Sequence, residues 1–406
     1  MEEKTLISRG QFWVIVFMYV FANDLIRGFY AEELTNNLWI PIIIGAVGGV
    51  LIYFVYTLLF RNVSGIDFGD TVTHVVSKPV CYILFLVYPL YFLCLVFFNL
   101  RDIYEVVNIF LVQEVKLLWF SLLVLALLFY LLSKGVEVFA RFTTMLFYIT
   151  LFIFVSFSGL IMSFNRIHLN YIFPILEYGF GPVIKPAFLM SYAIPFGELF
   201  ALFGIYQYVK QKDKNYRYGV YGLIMASVVL LLITLMNIII LGPVAMTIDI
   251  HPSLRITRRI EFAVFVQRFD IIVINVMMVL IIIKLAVLLS TTKYMLNYVF
   301  KLKKPNILLI ASLLIVFGIC LFAPQNYTLL LDFRIKYIIR YVNLIFEIII
   351  PFLLVLVSFF RRNQTKSKLK STLANKVPFL FWAKTTWRTW RNPEGNVRYR
   401  YRLTGG

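Results

Sequence analysis

Long apolar runs separated by short polar clusters dominate the chain. A run such as Val228 to Leu241 continues without the every-second-residue alternation of a half-buried strand. About ten of these runs approach the roughly 20 residues that cross a hydrocarbon core of about 30 Å as helix. They are predicted at 10–30, 39–60, 80–100, 117–133, 142–164, 183–207, 219–247, 270–292, 306–323 and 337–360. Backbone groups in lipid must be satisfied within the spanning structure, which leaves helices or closed barrels. A barrel reads as alternating segments of about ten residues, and these runs do not alternate. The expected fold class is therefore all-α integral membrane, with about ten transmembrane helices.

Composition agrees. Of 406 residues, 61% are hydrophobic and 15% charged, against about 25% charged in a soluble domain. Length alone would suggest two or three soluble domains, and hydropathy overrides that. Two regions follow: a membrane domain over 1–361, and a tail over 362–406 that is polar, basic and carries Trp382, Trp387 and Trp390. Basic residues among tryptophans suit an anionic leaflet surface, and a solvated, disordered tail is the alternative. Much of the net charge of +19 lies in the tail, so the charge is not read as nucleic-acid binding. The basic residues of the loops slightly favour the side holding the N-terminus, and the tail decides the matter. Both termini are expected to be cytoplasmic. The outer loop with Arg255, Arg258, Arg259 and Arg268 runs against that assignment.

Little points to catalysis. Cys81, Cys94 and Cys320 sit inside apolar runs without a CxxC pair. His74, His168 and His251 fall in different loops at no metal-ligand spacing. No metal, cofactor, nucleophile–base motif or phosphate loop is expected, and no enzyme. The first apolar run lacks a cleavage site and is expected to remain as the first span. Three loops look structured: Asp67 to Ser77 as a short amphipathic helix on the inner face, and the outer loops Asn165 to Pro182 and Asp249 to Asp270.

Function in such a protein sits where the helix rules are broken. The sixth run contains Pro186 and then Ser191-Tyr192-Ala193-Ile194-Pro195-Phe196-Gly197-Glu198. Proline removes a backbone donor, and glycine admits conformations other residues avoid. The first run contains Asn23-Asp24-Leu25-Ile26-Arg27-Gly28, polar where a plain anchor is apolar. Spans one and six correspond in a five-plus-five inverted repeat, and paired interruptions point to a transporter-like binding site. Asp24 and Arg27 share a helical face and suit a structural pair. Lys185 suits snorkelling to the outer interface. Glu198 and Lys284 are the charges best read as functional, because a charge at the bilayer centre costs about 2.5–3.5 kcal/mol unless the protein supplies a partner or a watery cavity. The candidate ligand-binding set is Asn23, Asp24, Gly28, Tyr192, Pro195, Phe196, Gly197, Glu198 and Lys284. A half-helix N-terminus after Gly197 suits a carboxylate and Glu198 suits an amine, so an amino acid is the favoured ligand.

From Leu6 to about Phe360 the chain also resembles a known family, the B-type subunits of spore germinant receptors, or endospore germination permeases. The resemblance rests on an ordered set of motifs: Ile7-Ser8-x-x-Gln11, Leu100-Arg101-Asp102, Gly135-x-Glu137-x-x-Ala140-Arg141, Glu177-x-Gly179-x-Gly181-Pro182-Val183-x-Lys185, Pro195-Phe196-Gly197-Glu198, Leu241-Gly242-Pro243, Pro252, and Gln267-Arg268-x-Asp270 leading to Lys284. It implies a leucine-transporter-like fold of the amino acid–polyamine–organocation superfamily, with broken helices 1 and 6. It also implies partners, an A-type membrane subunit and a C-type lipoprotein, and a place in the inner membrane of the dormant spore. The implied function is sensing of a small-molecule germinant, with a secondary transporter or an ion conduit as the alternatives. Asn23-Asp24-Leu25-Ile26-Arg27 and the basic tail depart from the family pattern.

Overall fold

The computed structural model describes residues 7–23, 34–62, 67–164, 167–177, 179–209, 216–248, 251–257 and 270–360, with 390–391 and 397–398 in the tail. Among these the membrane domain is helical, and the tail contributes one antiparallel pair of two-residue strands, Trp390–Arg391 with Val397–Arg398. Six helices are long and apolar enough to cross a membrane, and Arg9–Phe21, Leu117–Ser133 and Asn306–Phe322 are shorter apolar helices. The chain is thus an integral membrane protein.

The elements follow from local chemistry. Helix α1 (Arg9–Phe21) starts at Ser8, whose side chain accepts from the Gln11 N–H at 3.1 Å while the Gln11 side chain accepts from the Ser8 N–H at 2.8 Å. The Ile7-Ser8-x-x-Gln11 motif is therefore a capping box, which satisfies two otherwise orphaned donors. Helix α1 stops at Phe21, earlier than the run to residue 30 suggested, and Ala22–Asn23 form a turn. Asp24, Arg27 and Gly28 lie outside the described residues.

Helices α2 (Trp39–Asn62) and α3 (Phe68–Val75) follow. The latter is the short amphipathic helix expected between Asp67 and Ser77, with Phe68, Val72 and Val75 buried. Helix α4 (Lys78–Phe110) runs ten residues past the predicted end of span three. Arg101 and Asp102 looked like a loop boundary, yet both are buried inside the helix. They stay because they have partners. Arg101 pairs with Glu105 at 3.0 Å and donates to the Gln325 carbonyl at 2.7 Å, and Asp102 pairs with Arg334 at 2.7 Å.

Helices α5 (Leu117–Ser133) and α6 (Val136–Phe164) lead to the interrupted segment, α7 (Gly181–Tyr192) and α8 (Leu202–Tyr206). Helix α9 (Tyr216–Leu241) ends at Gly242, whose φ of 83° is a left-handed value that favours glycine. Short helices α10 (Pro243–Ile248) and α11 (Pro252–Thr257) precede α12 (Asp270–Phe300) and α13 (Asn306–Phe322). The last span begins at Tyr327 as α14 (Tyr327–Phe333), ten residues earlier than predicted. It is wound in π-type turns over Arg334–Val342 and Leu344–Ile349 before ending as α15 (Ile350–Phe360).

Helix α12 is the axis of the bundle: Lys284 to Leu289 are fully buried, and it packs on α4, α8, α1 and α13. Small residues set the close contacts, as they do where helices meet in lipid. On α2, a Cβ at Gly45 would lie 2.8 Å from the Met190 Cβ, and one at Gly49 would lie 2.6 Å from the Phe196 Cβ. One face of α2 thereby accepts α7 and the chain that follows it. Leu51, Leu123, Phe152, Leu314 and Leu353 are exposed, as side chains against lipid tails are.

Candidate functional site

The site is built around the interruption between α7 and α8. Pro186 lies inside α7, and the helix ends at Tyr192. Residues 193–198 are not helical, and Glu198 has a left-handed backbone, φ 62° and ψ 14°, before a single 3₁₀ turn at Leu199–Ala201. Freed backbone groups at this depth persist only when other elements satisfy them. The Pro195 carbonyl accepts from Asn23 Nδ2 at 2.9 Å, and the Glu198 carbonyl from the Tyr19 hydroxyl at 2.9 Å. The Ala201 carbonyl accepts from the Thr291 hydroxyl at 2.6 Å. The Phe200 N–H donates to Glu347 Oε2 at 3.3 Å. The break is therefore held by groups on α1, α12 and the last span.

Lys284 enters this region from the middle of α12. Its ammonium contacts Glu198 Oε2 at 2.6 Å and Asn99 Oδ1 at 2.9 Å, donates to Asn23 Oδ1, and lies 5.9 Å from the centre of the Tyr19 ring. Glu198 and Lys284 are both fully buried. The ammonium donates to the two amide oxygens and faces the Glu198 carboxylate as an ion pair, so three separate elements hold it. This is how the protein offsets the desolvation of a buried charge.

Of the expected set, the structure brings Asn23, Pro195, Glu198 and Lys284 together. Phe196 is fully buried against Gly45 and Gly49 of α2. The Gly197 N–H donates to the Ala193 carbonyl, and a Cβ there would collide with the Tyr192 and Ala193 backbone. Tyr192 points elsewhere: its hydroxyl donates to the Arg340 carbonyl at 3.4 Å, and its ring packs with Ile339 and Phe188. Asp24 and Gly28 fall outside the described residues. Lys185 is exposed.

Three contributors escaped the sequence reading. Asn99, on α4, is the second amide on the ammonium. Tyr19 supports both the Glu198 carbonyl and the lysine. Glu347, fully buried in the last span, accepts from Tyr56 at 3.1 Å, Tyr91 at 3.2 Å and the Phe200 N–H. Glu347 carried a usable signal, an acid inside the apolar run Ile345-Phe346-Glu347-Ile348-Ile349. Beside the end of α1, an apolar cavity of about 60 Å³ is lined by Phe21, Phe154, Phe157, Ile233, Met236 and Val276. Among the described residues no cluster of metal-ligating side chains forms.

Comparison with known proteins places this arrangement in context. A family model described as spore germination protein matches residues 6–328. Spore germination protein KB of Bacillus subtilis (strain 168) is 21% identical over 92% of this chain and 100% of its own length. Spore germination protein B2 of the same organism is 27% identical over 59% of this chain and 65% of its own length. Among solved structures, Mhp1, a nucleobase-cation-symport-1 family transporter in a closed conformation with bromovinylhydantoin bound, superposes with a TM-score of 0.58 at 13% identity. It covers 80% of this chain and 73% of that one. At that identity the likeness shows a shared, leucine-transporter-like fold and nothing of what is bound.

Proposed function

The chain belongs to the spore germination protein family, and from that premise we propose that it is the B-type membrane subunit of a germinant receptor, binding a small germinant where the first, sixth and eighth spans meet. The family is one of germination proteins rather than of enzymes. In this reading the six long helices, the three shorter ones and the interrupted α7–α8 segment make ten spans, arranged as the two inverted halves of the leucine-transporter-like fold. The first and sixth are the broken members. The subunit sits in the inner spore membrane with both termini cytoplasmic, and it signals through an A-type membrane subunit and a C-type lipoprotein.

One observation carries the proposal: the fully buried Glu198–Lys284 pair at the interruption, bonded to Asn23 at the end of α1. A plain membrane anchor has no use for a buried ion pair. One that ties a broken helix to two others is an element with two arrangements, closed when the pair is intact and open when a ligand takes over a partner. A ligand shifts such an equilibrium only by differential affinity for the two states. A zwitterionic amino acid supplies both charges, an ammonium for Glu198 and a carboxylate for Lys284, and is the favoured germinant.

Ligand-induced thermal stabilisation of the purified protein, screened over amino acids, nucleosides and sugars, tests this. A hit among the amino acids that is lost in a Glu198→Gln, Lys284→Met double variant supports the site. A hit that survives in that variant places the binding site elsewhere. The fold is shared with a transporter, so solute uptake into vesicles by the protein alone would replace the sensor reading with a secondary transporter. Current without solute flux would replace it with an ion conduit.

A further inference from the structure

Glu347 is a fully buried acid outside the Glu198–Lys284 pair. It is fully enclosed, and groups on three neighbouring elements face it: Tyr56 on α2, Tyr91 on α4, and the Phe200 N–H in the interruption. Tyr88 on α4 donates to the adjacent Phe346 carbonyl at 2.8 Å, and Asn343 lies one turn earlier in the same π-wound span. Glu198 stands two residues before Phe200. The Lys284 ammonium is already held by the Glu198 carboxylate as an ion pair and by hydrogen bonds to Asn23 and Asn99.

Two phenols serve the acid. The Tyr91 hydroxyl has one proton but faces two acceptors, Asn343 Oδ1 and Glu347 Oε1, each at 3.2 Å. The Tyr56 hydroxyl also has one proton and two acceptors, the Glu347 carbonyl and Glu347 Oε2. With Glu347 ionised, Tyr91 can give its proton to the acid only if the Asn343 amide turns its Nδ2, which has no hydrogen-bond partner in this arrangement, toward the phenol oxygen, and Tyr56 still faces two acceptors with one proton. One added proton on the carboxyl group satisfies Tyr91 with the amide as it stands. Oε1–H donates to the Tyr91 oxygen, Tyr91 O–H then donates to Asn343 Oδ1, and Tyr56 O–H donates to the Glu347 carbonyl. Oε2, now the carbonyl oxygen of the acid, accepts from the Phe200 N–H. A neutral acid also spares the bundle a second buried negative charge beside Glu198, and among the described residues no cation pairs with Glu347.

We propose that Glu347 is a proton-binding site, its carboxyl group protonated in this arrangement and wired through Tyr91 and the Phe200 N–H to the third span and the sixth-span interruption. Any movement of the interruption that withdraws the Phe200 N–H changes the hydrogen bonds of that acid and so its hold on the proton. The inference does not depend on which solute the protein recognises.

Infrared spectroscopy of the purified full chain in lipid nanodiscs at neutral pH tests it without a ligand. The expected result is a carbonyl-stretch band of a protonated carboxylic acid that shifts in D₂O, is absent in Glu347→Gln, and persists in the Glu198→Gln, Lys284→Met double variant. The milder Tyr91→Phe removes one hydrogen bond to the acid and keeps the ring, and it should move the band without abolishing it. Absence of the band in the unsubstituted protein overturns the proposal. So does its persistence in Glu347→Gln. If Glu347→Gln fails to fold, an unmoved band in Tyr91→Phe overturns it instead.

Discussion

At the residue scale the decisive quantity is the burial of Glu198 and Lys284. Both are sealed from solvent, so neither charge can be removed alone without stranding the other. Breaking a buried pair from one side typically costs about 3–5 kcal/mol, whereas replacing both partners by neutral groups of similar size is often near neutral. Glu198→Gln and Lys284→Met are each expected to lower the melting temperature of the purified protein, and the double variant should recover most of that loss. Equal or additive destabilisation in the double variant would mean that the two charges do not act as a pair. The same site shows how far residue-level reasoning reaches. A charge inside an apolar run announces itself, and that is how Glu198 and Lys284 were legible. Asn99 was not, because one amide in a 33-residue helix looks like a packing residue until α12 is laid beside it. Tyr192 failed in the opposite way. It is adjacent to the interruption in sequence, but the last turn of α7 aims its ring at the last span.

At the scale of elements, small residues and buried ion pairs decide which helices meet. The glycine face of α2 sits against α7 and Phe196 with no room for another carbon. Gly49→Ala should destabilise the protein by about 1–3 kcal/mol through overpacking, read as a fall in melting temperature. It should also weaken any ligand stabilisation, since Phe196 adjoins the interruption. Gly159, where a Cβ meets nothing within 4 Å, is the matched control, and Gly159→Ala should leave both unchanged. A second contact joins α4 to the last span through Asp102 and Arg334, with Tyr327 donating to Asp102 at 3.1 Å and the guanidinium 5.0 Å from the centre of the Phe98 ring. Arg334→Ala removes the cation from a buried carboxylate, with an expected loss of about 3–5 kcal/mol. Arg334→Met combined with Asp102→Asn should recover part of it, and a thermal melt of the three variants checks this. These contacts explain where hydropathy misjudged the helix ends. Hydropathy sums transfer energies residue by residue, so it ended the third span at Arg101. It began the last span after Arg334 for the same reason. The pairing that keeps those residues inside their helices is long-range.

At the scale of the whole molecule, the class of fold followed from hydropathy, because no other structure satisfies the backbone in lipid over runs of this length. The inverted-repeat symmetry we propose could not be read as residue identity, since two halves that share geometry need not share residues, and it was the paired interruptions at Asn23–Gly28 and Pro195–Glu198 that pointed to it. That geometry is shared by proteins that move solutes and, in our reading, by one that senses them, so the distinction has to be drawn by flux. If the bundle is a sensor, its two arrangements differ at the interruption and ligand occupancy is read by partner subunits. The chain alone in sealed vesicles should then bind a germinant without accumulating it. The buried pair favours that outcome: the Lys284 ammonium is held by an ion pair and two hydrogen bonds within the protein, so a ligand must displace an internal contact before it gains one. Such exchange suits a reversible switch of modest affinity better than repeated turnover. Accumulation of labelled amino acid in vesicles bearing the unsubstituted chain, abolished in the Glu198→Gln, Lys284→Met variant, would overturn the sensor reading while leaving the site in place.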